Sequence, residues 1–396
     1  MRLVFRAMCA VALAGCSDVK APVETKFLPF TAGNPIDRHP EQFDPRATVD
    51  PRPISERLDG LFDARLRRVN IPADGFSQAS DAVHPDMACP PDAWMGARCW
   101  LMYTPYKNSD PSLENPAVLF AASDTTWVTP IGVKNPIVAY PGSTGYNSDP
   151  DHAFDPVTHR MVEVYRVVAD TFNKIMIMST ANAQQWTAPA LAFQEKNHDA
   201  VSPALIIEPD RIAKLWYVRA GASGCTSTTS SVQLRFASPD VSSGYDHSVW
   251  SSAMPVNLAI PGYVVWHLDV IEISPDFGYL SMIAAYPRGS NCAASDLWLA
   301  SSVDGVNWRT YPMPILWRSM LAAKQRTLST WYRGTLRYNV ETDSLDLWPS
   351  ALSKTSWNVY HARVKLTDIL GLLEAVKPGE FKPSFTAGAP VPLRMP

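Results

Sequence analysis

Five segments of the chain open on similar short motifs, and their recurrence limits what the chain can fold into. They read "HPDMAC" from His84, "DPDHAF" from Asp149, "SPALII" from Ser202, "HLDVIEI" from His267 and "RGTLRY" from Arg333. The first residues are 65, 53, 65 and 66 positions apart. Each motif is followed by a second strand-like run: "CWLMYTPY", "RMVEVYRVV", "AKLWYVRA", "YLSMIAAYP" and "DSLDLWPSAL". A third run follows: "PAVLFAAS", "KIMIMST", "VQLRFAS", "LWLASS" and "WNVYHARV". In three repeats it leads to a turn ending in tryptophan, at Trp127, Trp186 and Trp308. A unit this small cannot bury its own sheet, whereas copies stacked around an axis can. The expected fold is all-β, a five-bladed β-propeller with a short C-terminal helix over "LTDILGLLEAV" (Leu366–Val376).

Composition agrees. The 396 residues are 46% hydrophobic and 18% charged, with 35 prolines and 13 tryptophans, which suits short strands and many turns. The net charge of −3, with no long basic run, argues against a nucleic-acid partner.

The first residues read "MRLVFRAMCAVALAGCS". Arg2 and Arg6 precede a short apolar run, and Leu13-Ala14-Gly15-Cys16 matches a bacterial lipobox. The expectation is a lipoprotein signal over 1–16, lipidation at Cys16, and an exported protein anchored in the cell envelope, Ser17 favouring the outer membrane. A tether over 17–60 would follow, polar and proline-rich to about Pro53, then the propeller over 61–376 and a proline-rich tail over 377–396. Four cysteines remain beyond Cys9 and Cys16. In an exported chain they suggest two disulfides, and the pairing taken is Cys89–Cys99 across a hairpin and Cys225–Cys292.

In a propeller the innermost strand of each blade starts near the central funnel. Motif positions one and three lie on one face of a strand. Position one is His84, Asp149, Ser202, His267 and Arg333; position three is Asp86, Asp151, Ala204, Asp269 and Thr335. A ring of carboxylates in a concave pocket suits glycoside hydrolysis, where one acid protonates the leaving oxygen and another attacks or activates water. The candidate catalytic residues are therefore Asp149, Asp151 and Asp269, with Asp86 in reserve. Candidate substrate-binding residues are His84, Glu114, Ser202, Trp266, His267, Arg333 and Thr335, and Trp331 is a further surface for stacking on a sugar. No cofactor or metal is expected, because the spacing matches no metal signature; Ca²⁺ is the cation such acids would suit.

The motifs "ENP", "SDPD", "SPA", "WHLDV" and "YRGT", with the Asp-box-like turn "SSVDGVNW", resemble a group of bacterial and phage propellers similar to glycoside hydrolase families 43, 32 and 68. The resemblance runs from about Val83 to Val364. It implies a base Asp in blade one, a pKa-tuning Asp in blade two and an acid Glu in blade three. Asp149 matches the second. The first position holds His84-Pro85 with Asp86 next, and the third holds Val201-Ser202-Pro203 without an acid. The implied function is a surface-anchored glycoside hydrolase acting on an oligo- or polysaccharide. The alternative is a non-catalytic glycan-binding or structural surface lipoprotein.

Overall fold

Position one of the first three motifs is turned inward by the same backbone device. His84, Asp149 and Ser202 have φ of 50°, 52° and 53°, the left-handed region that non-glycine residues seldom occupy. Each precedes a proline, and each lies in a break of strand register, between Val83 and Asp86, Ser148 and Asp151, and Val201 and Ala204. Proline has no N–H to give the ladder, so a bulge is a place where it fits. Blades four and five carry Leu268 and Gly334 at the second position, yet their strands also slip, between Val265 and His267 and between Trp331 and Gly334. Gly334 is needed there for space: a Cβ would lie 2.8 Å from Pro349 Cα and 2.5 Å from Met282 Cε.

These bulges sit in the computed structural model of the chain, which describes residues 50, 52–72, 81–142, 145–169, 172–240, 244–354 and 356–376. The expected signal, Cys16 and the 377–396 tail lie outside the described residues, as does the tether up to residue 49. The strands form five four-stranded antiparallel sheets. Blade one comprises Ala82–Ala88, Trp100–Pro105, Ala117–Ser123 and Thr126–Val128; blade two comprises Gly145–Asp155, Arg160–Ala169, Phe172–Thr180 and Ala190–Lys196. Blade three is built from Val201–Ile207, Ala213–Arg219, Ser231–Ala237 and Met254–Val256, and blade four from Tyr263–Ser274, Gly278–Pro287, Asp296–Ser302 and Arg309–Thr310. Blade five holds Leu328–Asn339, Ser344–Ser353 and Ser356–Lys365, and its outermost strand is Arg67–Arg68 from the other end of the chain. Arg67 pairs with His361 and Arg68 with Tyr360, and Asn70 then bridges to Thr126 in blade one. The N-terminal segment thus closes the ring.

The expected five-bladed propeller is the observed fold. One boundary moves. Residues at the end of the expected 17–60 tether begin helix α1 (Ile54–Arg65), which starts just after Pro53. Its Ile54, Leu58 and Phe62 are buried against α2 (Leu321–Gln325), α3 (Leu366–Glu374) and blade five. An apolar residue every four positions gives α1 a buried stripe that a free tether would have no use for. Among the described residues no helix is long and apolar enough to cross a membrane.

Both expected disulfides are present, Cys89–Cys99 and Cys225–Cys292. The "SSVDGVNW" turn also behaves as its residues require. Asp304 accepts the N–H groups of Val306 and Asn307, and Gly305 takes φ 74°. The Gly305 carbonyl receives both Trp308 Nε1 and Trp216 Nε1, so the turn joins blade four to blade three.

Candidate functional site

The innermost strands are buried along most of their length, so an acid there must find partners inside the protein. The acids fall into two layers along the axis.

Position three forms the deeper layer. Asp86, Asp151 and Asp269 bring carboxylate oxygens within 4.8 Å of one another. Each accepts an N–H from the next blade, always at motif position four. Asp86 accepts from His152 at 2.7 Å, Asp151 from Leu205 at 2.7 Å and Asp269 from Leu336 at 3.1 Å. The His152 ring also bonds Asp86, and Arg333 donates to Asp151 at 2.6 Å and to the Pro203 carbonyl at 3.0 Å. Thr335 of blade five reaches Asp86 of blade one, at 3.5 Å. Blade three has Ala204 at this position; its link to blade four runs instead through Ser202, whose hydroxyl meets the Leu268 N–H and carbonyl at 3.1 and 2.9 Å. The acid within "WHLDVIEI" is explained by this contact: Asp269 faces the axis and holds blade five.

This layer is uncomfortable for three negative charges. Burial and then the charge of Asp86 push the Asp269 carboxyl up to about 7 and raise Asp151 well above its ordinary range. Burial opposes ionisation of Asp86 as well, but His152 outweighs it and holds that carboxyl low. Glu163, in the second strand of blade two, is buried with both oxygens unpartnered, and burial followed by the Asp86 charge raises it strongly. A cavity of about 350 Å³ reaches these acids from the C-terminal ends of the innermost strands, between apolar walls that include Met87, Phe154, Leu205 and Val270.

Position one forms the other layer, nearer the strand starts. His84 Nε2 lies 3.3 Å from Asp149 Oδ1, and His267 Nδ1 lies 3.9 Å from the same oxygen. The three side chains present ligand atoms within 4.8 Å of one another. His84 Nε2, Asp149 Oδ1 and both His267 nitrogens have no hydrogen-bond partner, although all are buried. Buried polar atoms rarely go unpaired without a reason. The other edges of these groups are held: His84 Nδ1 lies 3.0 Å from Thr104 Oγ1, and Asp149 Oδ2 accepts the Ser202 N–H at 3.0 Å and lies 3.3 Å from Arg166 Nη1.

The protonation states suit a cation. Burial lowers His84 to about 4 and His267 well below its ordinary value, which leaves both imidazoles neutral with lone pairs to offer. Burial works against the Asp149 carboxylate, but the Arg166 guanidinium, with Arg333 behind it, holds it low. Two imidazoles and one carboxylate suit a first-row divalent ion such as Zn²⁺; Ca²⁺ prefers oxygen ligands alone. The sequence carries no metal signature and named Ca²⁺ as the one candidate cation; these three ligand atoms come from blades one, two and four, so no local spacing announces them.

Glu114 is buried beside this layer, its Oε2 3.8 Å from His84 Nδ1. Burial, then the Asp149 charge, raises its carboxyl well above the usual range, so it ionises at a higher pH than Asp149 does. Tyr332 packs against both histidines, with ring centroids 4.5 Å from His267 and 5.4 Å from His84. Trp266 is buried and donates its Nε1–H to Tyr332 at 2.8 Å, and so supports the wall from behind. Trp331 is buried in the core between blades four and five and offers no face to a sugar.

Of the position-one residues, His84, Asp149, Ser202 and His267 meet in this layer, while Arg333 reaches into the deeper one. Of the expected catalytic acids, Asp149 lies beside the histidines, whereas Asp151, Asp269 and the reserve Asp86 are partnered as ties between blades, and Thr335 with them. Arg166, Thr104 and Tyr332 were missed. Arg166 had a signal, a basic residue inside the largely apolar run "RMVEVYRVV", whose other arginine only opens it.

No family model matches the chain. A curated relative, the A type blood N-acetyl-alpha-D-galactosamine deacetylase of Flavonifractor plautii, is 26% identical over 276 residues, covering 59% of this chain and 35% of the relative. The chain therefore corresponds to about a third of that protein's length. Among solved structures, an N-acetylgalactosamine deacetylase from F. plautii in complex with blood group B trisaccharide superposes with a TM-score of 0.66 at 19% identity, over 78% of this chain and 97% of that one. A thermostable family-43 glycoside hydrolase superposes with a TM-score of 0.51 at 14% identity, over 74% and 92%. The chain is a five-bladed β-propeller of the fold shared by these carbohydrate-modifying enzymes.

Proposed function

We propose that the chain is a metal-dependent hydrolase that removes the acetyl group from an N-acetylated amino sugar of a glycan. One observation carries this reading: three buried ligand atoms, on His84, Asp149 and His267, face one another without hydrogen-bond partners. The similarity to a deacetylase supports the choice of bond. A divalent ion bound there would polarise the amide carbonyl and make water a better nucleophile.

The chain's own groups supply the rest. Arg166 keeps Asp149 ionised, and Thr104 holds His84 with Nε2 toward the ligand point. Glu114 is the proton carrier: it takes a proton from the attacking water and returns it to the amine as the C–N bond breaks. Anchoring at the envelope through Cys16, supported by the lipobox alone, would put the site where glycans are met.

Glycoside hydrolysis is the second reading, favoured by Glu114 and Asp149 flanking His84, one acid protonated and the other ionised. One experiment separates the two. The protein lacking residues 1–16 is loaded with Zn²⁺ or Co²⁺ and given glycans ending in N-acetylgalactosamine or N-acetylglucosamine, and acetate and free sugar are both measured. Metal-dependent acetate release is expected. Free sugar without acetate would favour the glycosidase, and activity undiminished by chelation would reject the metal site.

A further inference from the structure

The phenol of Tyr332 is held with its proton unspent. It stands just before Arg333 in the innermost strand of blade five, half-buried, with its ring across both candidate ligand imidazoles and 5.2 Å from Trp357. A tyrosine hydroxyl has one proton to give and lone pairs to receive with. The Trp266 Nε1–H occupies a lone pair at 2.8 Å, and an indole nitrogen can only donate, so the direction of that bond is fixed. Among the described residues no group accepts the Tyr332 proton. A phenol titrates at roughly 10, so the proton stays on the oxygen through neutral pH.

We propose that Tyr332 is a catalytic residue whose hydroxyl donates a hydrogen bond to the carbonyl oxygen of the scissile acetamide. The inference rests on the deacetylase reading above. As water adds, a C–O bond forms, Glu114 takes the water proton, and the carbonyl oxygen takes up the negative charge. Tyr332 stabilises that charge without giving up its proton. When the oxyanion collapses the C–N bond breaks, Glu114 returns its proton to the nitrogen, and acetic acid and the amine leave, the acid passing its proton to the amine to give acetate and ammonium. Trp266 is a positioning residue here: its N–H pins the phenol oxygen, which therefore need not reorient as the charge develops.

The test is Tyr332→Phe, which keeps the ring against the histidines and removes only the hydroxyl. In metal-loaded protein, acetate release should fall about 10²–10³-fold in kcat, the scale of losing one oxyanion donor. KM and Zn²⁺ affinity by calorimetry should stay within about threefold, and a phosphonate mimic of the tetrahedral species should bind weaker by a factor similar to the kcat loss. The last readout is one that a merely structural role would not move. Trp266→Phe, which leaves the hydroxyl but frees its position, should cost less than Tyr332→Phe. An active wild type with an equally active Tyr332→Phe overturns this inference alone, as does a loss confined to KM or metal affinity. A wild type that binds the ion but releases no acetate rejects the deacetylase reading and this inference with it.

Discussion

Thr104 Oγ1 lies 3.0 Å from His84 Nδ1, and this contact decides which nitrogen of the imidazole faces Asp149. With Nδ1 protonated and donating, Nε2 keeps its lone pair toward the ligand point. Thr104→Val preserves shape and removes the acceptor. It should weaken Zn²⁺ binding by about 10–100-fold, the usual effect of losing a partner behind a metal-binding histidine. Calorimetry on the metal-free protein checks this, and an unchanged affinity would show that packing alone orients His84.

Glu114→Gln removes the proton carrier and keeps the shape. The kcat/KM for acetate release should drop by about 10²–10⁴-fold, with metal affinity unchanged. Glu114 must be ionised to accept a proton, and burial and Asp149 raise its carboxyl. The wild-type rate should therefore rise with pH through a limb above the ordinary glutamate range, and the variant should lack that limb. A limb that survives in the variant assigns the titration to another group.

Asp269→Asn tests whether the deeper layer is structural. The amide oxygen can still accept the Leu336 N–H. The folded carboxyl sits at about 7, whereas an unfolded aspartate titrates at roughly 3.9. Between those values the folded protein holds a proton that the unfolded chain has lost. Stability from this group is therefore greatest below about pH 4, falls as pH rises toward 7, and is level above it. The variant should show a shallower decline in melting temperature over that window and a turnover within about threefold of wild type. A turnover loss of 10²-fold or more would restore Asp269 to the catalytic set.

Gly334→Ala should destabilise by about 1–3 kcal/mol in denaturant titration, the usual range for overpacking. The Cβ would meet Pro349 Cα at 2.8 Å, and backbone cannot step aside as a side-chain tip can. A near-neutral effect would mean that blades four and five yield more easily at the bulge than their packing implies.

The blades were legible in the sequence because each is a local unit, with three consecutive runs and a turn. The inward turn of His84, Asp149 and Ser202 was legible as well, since each precedes a proline in a repeated place. The partners were not. Asp151 reads as an axis-facing acid from its strand position, but the N–H it accepts belongs to Leu205 on another blade. The same holds for His84, Asp149 and His267, whose shared point exists only once three blades are side by side. Glu163 and Arg166 lie in a middle strand, where alternation gives a face but not a depth.

Because Arg67–Arg68 completes the last blade, the earliest part of the propeller to leave the ribosome waits for the latest. Blades one to four can form as they emerge, but their ring stays open until Ser356–Lys365 arrives to receive that strand. A chain cut short before Ser356 would leave Arg67–Arg68 without its partner edge. A pull on the chain ahead of Ile54 would meet helix α1 first and this clasp next, so the ring would open at the seam that closed it last.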